Sequence, residues 1–384
     1  MNVLMFLTGL AMFLVVYHHA IYPLLLKLLS CRVSQDNQLL RGSERAYALG
    51  DKLPSIEIII PAYNEQAFIA QKILNMASLD YPEQLLTVNI ACDGCSDDTA
   101  KIARETIDCL SECAIDFQLH NFERNRGKVA VLNQCIAASE ADIVGLSDVS
   151  ALISVDALLI AASDFQNPRT AVVCAHYHML SPGSHGEARY WDYQRELKRC
   201  EAQLGAPLGA HGAFYLFKRS AYQTLAADTI NDDFMIPMQI LQRGFEAVYD
   251  SRINALELEQ APNSQDRSRR KRIGAGNMQQ LIRLRGMLKP RFKGLAFTFF
   301  SGKALRVVIP FCMIVSCIGS LLLAQHSTWF AVLFGLQALA YVLAFLPRLL
   351  PKGVSPKLCH SLNYLVEGHF ASFYGGLSYL AKRF

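Results

Sequence analysis

IEIIIPAYNE at residues 56–65, FIAQKILNMASL at 68–79 and LTVNIACDG at 86–94 decide the fold. The first is a β-branched run that ends at Pro61, the second carries its apolar residues at helical spacing, and the third is a second buried strand. ADIVGLSD at 141–148 and TAVVCAHY at 170–177 continue the alternation. Strands separated by helices imply an α/β domain over residues 50–290, with a mostly parallel sheet covered by helices on both faces. Ligands of such sheets bind beyond the strand carboxyl ends. Asp93 and Asp148 each fall just after a strand. Taken singly, either reads as a helix cap or the start of a turn. Together with Asp233 in NDDFMIP and the basic run Arg269 to Arg272, they read as stations of charged chemistry on a phosphate-bearing ligand.

Working outward, the 384 residues are 52% hydrophobic and 18% charged, too apolar for an ordinary soluble domain. The excess is localised. Val3 to Leu26 carries no charged side chain and is long enough to span a bilayer. It lacks the basic head and small-residue cleavage pattern of a signal peptide, so residues 1–30 read as a retained anchor, with His18, His19 and Pro23 as its imperfections. Leu305 to Leu346, broken at 325–328, reads as two spans within a membrane region at 305–384, preceded by an interfacial amphipathic segment at 291–304. Residues 361–380 contain Glu367 and His369 and fit a third span or an interfacial helix. Lys27, Arg32, Arg41 and Arg45 on one side, with Arg348, Lys352 and Lys357 on the other, predict a cytoplasmic central domain and an amino terminus outside.

Eleven cysteines without regular spacing argue for reduced thiols, and Cys92 and Cys95 form a CxxC with no second pair to complete a metal site. The net charge of +4 is modest and no segment reads as a nucleic-acid module. Nucleic acid is therefore not an expected partner, and the basic residues at 267–293 are expected to face phospholipid or a phosphorylated ligand.

The chain here resembles the membrane-bound family 2 inverting glycosyltransferases, the branch that contains cellulose, chitin and hyaluronan synthases. The resemblance covers roughly residues 54–285 and implies a Rossmann-like nucleotide-sugar domain of GT-A type. IIIPAYNE looks like the family's opening strand and turn, which implies that Ala62, Tyr63 and Glu65 line a uridine pocket. Asp93, in a variant of DGSSDDT, is implied to contact the uracil or ribose. Asn125 to Lys128 is similar to the stretch that closes over the base, with Gly127 allowing close approach and Lys128 supplying a donor. Asp148 matches the first aspartate of the metal-binding DxD element, whose second carboxylate is replaced by Ser150. The resemblance therefore implies Mg²⁺ or Mn²⁺ held mainly by Asp148 and the donor pyrophosphate. Asp233 aligns with the general base that accepts the acceptor hydroxyl's proton, and Asp232 is placed to tune it.

GAHGAFYLFKRSAY at 209–222 looks like the family's acceptor wall, which implies that His211 and Gly212 lie near the incoming hydroxyl. Tyr190 and Trp191 fall on a helical stretch, where aromatics stack on a sugar or pack into the core. The family's Q/RxxRW motif is matched by Arg269 and Arg272, three apart on one helix face and able to clamp a pyrophosphate. Ile273 stands where processive synthases carry a sugar-stacking tryptophan, so few sugars are expected per binding event.

These readings combine into a bacterial inner-membrane hexosyltransferase. It would move a sugar with inversion from a UDP-sugar to a lipid-linked or polysaccharide acceptor, next to membrane lipid and other polysaccharide assembly or export proteins. A processive synthase that exports its polymer is the alternative within enzymes. A non-catalytic membrane scaffold is the alternative from another class.

Overall fold

Ile56, Ile58, Ile59 and Ile60 of the strand Ile56–Ala62 (β1) are at most 1% exposed, which only a central strand covered on both faces allows. The computed structural model describes residues 1–38, 52–110, 112–181, 185–259, 263–350 and 356–383. The remaining strands are Leu86–Asp93 (β2), Asp116–Phe122 (β3), Ile143–Leu146 (β4), Ala151–Ile153 (β5), Thr170–Met179 (β6), Tyr215–Lys218 (β7) and Glu246–Glu257 (β8). They form one sheet in the order β3-β2-β1-β4-β7-β6-β8-β5. The chain divides into two compact units, of which residues 32–182 and 191–260 form the one holding this sheet.

Pairing is parallel from β3 through β4 and between β6 and β8. It is antiparallel where β7 meets β4 and β6, and where β5 meets β8. The parallel part coincides with the stretch in which helices such as Ile69–Ala77 and Thr99–Asp108 separate the strands, as crossover connections require. The reversals have a geometric consequence. Because Leu146 pairs with Tyr215, the residues that precede β7 arrive at the carboxyl end of β4. Because Ala151 pairs with Glu257, the end of β8 arrives there as well.

The second unit contains residues 1–31, 183–190 and 261–384. Three of the described helices are long and apolar enough to cross a membrane: Asn2–Cys31, Gly294–Leu323 and Thr328–Leu349. Their outward residues include Phe6, Leu24, Ile318, Trp329 and Leu336, all exposed, as a lipid-facing surface would be. Residues 294–304 are helical and run directly into Leu305–Leu323. Residues 361–380 lie in the helix Lys357–Arg383, which is not one of those three. Small residues allow the close crossings. A Cβ added at Gly319 would stand 2.0 Å from Thr8 Oγ1, and one at Gly375 would stand 2.2 Å from the Lys271 carbonyl oxygen. Arg41, Arg45 and Lys352, counted above among the positive flanks, lie outside the described residues.

Candidate active site

β1 delivers Ala62, which is buried, and then Tyr63, which is 51% exposed. Asn64 follows with φ of 56°, a conformation asparagine tolerates better than most residues. Its side-chain oxygen accepts the Ser96 N–H at 2.8 Å, and the Glu65 N–H donates to Thr99 Oγ1 at 2.8 Å, so the turns after β1 and β2 are tied together. Burial pushes the Glu65 carboxyl up to about 7, and the nearby carboxylates of Glu259, Asp148, Glu257 and Asp97 add to the shift. Near neutral pH this group is protonated part of the time and can donate to a nucleotide oxygen.

Asp93 closes β2 and is 4% exposed. Its Oδ1 accepts the Arg126 N–H at 2.9 Å and its Oδ2 accepts the Gly127 N–H at 2.8 Å. Both oxygens therefore hold the 125–128 loop at the start of the helix Lys128–Ala138, a structural task that the resemblance did not imply. Gly94 has φ of 65°, and a Cβ there would stand 2.2 Å from the Asn125 backbone nitrogen. Gly94→Val combines left-handed strain with a backbone clash. It is expected to cost about 2 kcal/mol or more of stability, read by thermal melts.

The loop delivers Lys128 onto Asp148, which follows β4, and toward Asp232. Its ammonium lies 2.8 Å from Asp148 Oδ1 and 3.6 Å from Asp232 Oδ2. Burial acts against the lysine's charge, yet Asp148 and Asp232 hold its pKa well above the usual lysine value. Asp148 is correspondingly held below the ordinary carboxylate range against its own burial, by Lys128 first, then His211 and Lys72. Asp232 and Asp233 open the helix Asp232–Gln242, whose N-terminal dipole favours acidic residues. Burial pushes Asp233 up to about 6 and the Asp232 charge adds to the shift, with Lys128 opposing it.

Gly212 lies against Asp148: its carbonyl accepts the Asp148 N–H at 3.1 Å, and a Cβ there would stand 2.7 Å from Asp148 Oδ2. His211 stacks on Tyr177 with ring centroids 3.7 Å apart and meets Trp191 edge-on at 5.2 Å. Trp191 also packs against the core beside Tyr177, while the Tyr190 side chain lies outside the described residues. Arg269, Arg272 and Ile273 belong to the helical unit, on the helix Asn263–Arg283, where all three are exposed. Their neighbour Arg270 lies over the Tyr364 ring at 3.9 Å.

Several site residues carry no motif and were missed in the sequence. Lys72 is fully buried, donates to Ser147 Oγ at 2.6 Å and to the Ala151 carbonyl at 2.5 Å, and is pushed down to about 7 by burial. It pins both ends of the segment that carries Asp148. Its one signal was a lysine amid apolar helix positions in IAQKIL. Glu257 accepts a hydrogen bond from the Ser150 hydroxyl and lies close enough to Asp148 to feel its charge. A carboxylate absent at position 150 is therefore present nearby at 257. Lys198 donates to the carbonyls of Leu208 and Gly209 at 3.1 and 2.7 Å, and fixes the loop that carries His211. All eleven cysteines are free, and Cys92 and Cys95 remain thiols in the strand and turn that carry Asp93.

The Glycosyl transferase family 2 pattern matches residues 57–225, the stretch that contains Glu65, Asp93, Lys128, Asp148 and Gly212. This stretch is a glycosyltransferase family 2 domain. Its curated relatives include a poly-beta-1,6-N-acetyl-D-glucosamine synthase from Staphylococcus epidermidis, 28% identical over 210 residues, or 52% of this chain and 49% of the relative. The synthase of that name from Staphylococcus aureus (strain COL) is 27% identical over 209 residues, with the same shares. The chain spans about half the length of the curated relatives it matches, 49% of each. Among solved structures, the mannosyltransferase PcManGT from Pyrobaculum calidifontis, in complex with GDP-Man and Mn²⁺, superposes with a TM-score of 0.74 over 98% of this chain and all of that one, at 19% identity. That likeness establishes the GT-A arrangement of the glycosyltransferase domain. Asp232 and Asp233 lie just beyond the matched residues.

Proposed function

We propose that this chain is an inverting hexosyltransferase at a bacterial inner membrane. It moves a sugar from a UDP-sugar in the cytoplasm to a lipid-linked or growing glycan acceptor, within a polysaccharide assembly or export system. The observation that carries the reading is Asp233, a half-buried carboxylate at a helix N-terminus with its pKa raised to about 6. It stands in the same site as Lys128 and Asp148, which suit a diphosphate. In the transfer, the acceptor oxygen attacks the anomeric carbon as its proton passes to Asp233. The bond from that carbon to the phosphate oxygen breaks on the opposite side and UDP leaves. A base with raised proton affinity is stronger than an ordinary aspartate yet still ionised at neutral pH. Turnover is therefore expected to rise with pH through about 6 and to fall below it, as Asp233 becomes protonated. A pH–rate profile flat from 5 to 8 would contradict the assignment.

The donor set at Asp148 suits a hard divalent cation in so far as Asp148 and Glu257 both offer carboxylate oxygens, with the Lys128 ammonium as the competitor for Asp148. Among the described residues no group of three or more His, Cys, Asp or Glu is arranged to hold a metal. Asp148 and Glu257 would thus hold Mg²⁺ or Mn²⁺ together with the donor's phosphate oxygens, and metal affinity without nucleotide should be low. When bound, the ion neutralises charge that develops on the diphosphate leaving group. Lys128 supplies the same help from the loop side.

Ala62, Tyr63 and Glu65 are assigned to the uridine pocket, with Gly127 giving the base close access. His211 and Gly212 are assigned to the acceptor side. UDP-N-acetylglucosamine is the first donor to test, since the staphylococcal relatives are named for its polymer. UDP release by purified protein against a panel of UDP-sugars tests the reading. Release from GDP-mannose alone would overturn the uridine assignment, and release from no donor would favour a scaffold. Those same relatives favour a second reading, a processive synthase. Ile273, 39% exposed, offers no aromatic face to hold a sugar between additions. Short products are expected when donor is in excess, and long polymer made from a few primers while others stay unused would restore the synthase reading.

A further inference from the structure

β5 lies at the edge of the sheet, and its three residues pair with β8 on one side only. On that side the Ser150 carbonyl accepts the Leu258 N–H at 2.9 Å, and the Ser154 N–H donates to the Asn254 carbonyl at 3.0 Å. The opposite edge of such a strand ordinarily waits for solvent or another chain. Here two side chains of the helix Ile69–Ala77 take it. Asn75 Nδ2 donates to the Ile153 carbonyl at 3.0 Å while its Oδ1 accepts the Ile153 N–H at 2.8 Å. Lys72, three residues earlier on the same helix, donates to the Ala151 carbonyl at 2.5 Å.

Lys72 also reaches past β5. It donates to Ser147 Oγ at 2.6 Å, and that hydroxyl in turn donates to the Ala213 carbonyl at 2.7 Å. Lys72, Ser147 and Ala213 are each at most 1% exposed, so water does not compete for these bonds. Ala213 directly follows His211 and Gly212 in the segment that enters β7. Residues 147–150, Asp148 among them, belong to neither β4 nor β5, so the placing of Asp148 depends on what holds the two strand ends. A methionine would fill the space of Lys72 without the cost of a buried ammonium. What the lysine adds is direction. One ammonium ties the end of β4, the start of β5 and the loop before β7 to a single point.

We infer that Lys72 is a positioning residue for the transfer: through Ala151 and through Ser147 to Ala213 it holds Asp148 in register with the 211–212 loop. It thereby sets the gap between donor diphosphate and acceptor while touching neither, and a misplacement of about 1 Å across such a gap is enough to slow a reaction. The inference rests on the roles given to Asp148 and to the 211–212 loop in the proposed function.

The test uses the full chain in maltoside detergent, with turnover read as UDP release and backbone opening read by hydrogen–deuterium exchange of peptides covering residues 147–153 and 209–214. Lys72→Met keeps the length and removes the donors. Exchange in both peptides is expected to quicken about tenfold, the worth of one hydrogen bond to a charged group. Turnover should fall about tenfold or more, while UDP affinity without metal stays within about twofold of wild type. Ser147→Ala should quicken exchange at 209–214 and spare residues 151–153. A packing role alone would alter 147–153 and leave 209–214 unmoved, and that result overturns the inference. Wild-type turnover in Lys72→Met overturns it whatever the exchange shows. If Lys72→Met loses UDP binding and so fails to fold, Ser147→Ala decides: unchanged exchange at 209–214 there overturns the route. A wild type that releases no UDP would remove the transfer reading instead, and the exchange then tests the hydrogen-bond route alone.

Discussion

Asp233→Asn is expected to lower turnover by about two orders of magnitude or more while UDP binding stays near the wild-type value. The amide has nearly the shape of the carboxylate and cannot accept the acceptor's proton. The fold should tolerate it. The Asp233 contact that fixes the neighbouring loop is made by its backbone carbonyl, which accepts the Ala210 N–H at 2.9 Å whatever the side chain. Burial and the Asp232 charge both act against the Asp233 carboxylate, so the neutral amide removes a repulsion. An unchanged or slightly higher melting temperature together with lost turnover would isolate the chemical step. Turnover close to wild type, measured as UDP release with acceptor present, would remove Asp233 as the base.

Asp148→Ala is expected to act on binding instead. It removes the group that pairs with Lys128 at 2.8 Å and the one that, with Glu257, would hold the cation. Lys128 keeps only the longer contact to Asp232, at 3.6 Å. Donor affinity should fall by several kcal/mol, and the gain that Mn²⁺ gives to UDP binding in the wild type should vanish. Titration of UDP with and without Mn²⁺ in both proteins checks this. A wild type whose UDP affinity ignores the metal would show that Lys128 alone serves the diphosphate. Glu257→Gln divides the roles further: it should weaken the Mn²⁺ dependence while leaving metal-free UDP affinity intact.

The parallel half of the sheet was legible because its signals are local. β-branched runs such as IEIII and LTVNIA can be buried on both faces only as central strands, and the helices between them carry their own periodicity. Asp93 and Asp148 were legible because they end those strands. β7 was not, since YLFK is four residues long and its pairing partners β4 and β6 lie far from it in sequence. Lys72 was hidden for a related reason. A lysine on an amphipathic helix is ordinarily solvated, and only the convergence of Ser147 and the Ala151 carbonyl makes its burial tolerable.

By itself the sequence determined the alternation of strands and helices, the apolar helices and the carboxylates beyond the strand ends. These follow from side-chain chemistry at short spacing. Tertiary structure alone decided which distant groups meet. The antiparallel pairing of β7 with β4 lays Gly212 against Asp148, and that of β5 with β8 brings Glu257 to Ser150. The 125–128 loop, held by Asp93, lowers Lys128 between Asp148 and Asp232. Strand direction and register are properties of the assembled sheet, and no local pattern encodes which carboxylate will face which lysine.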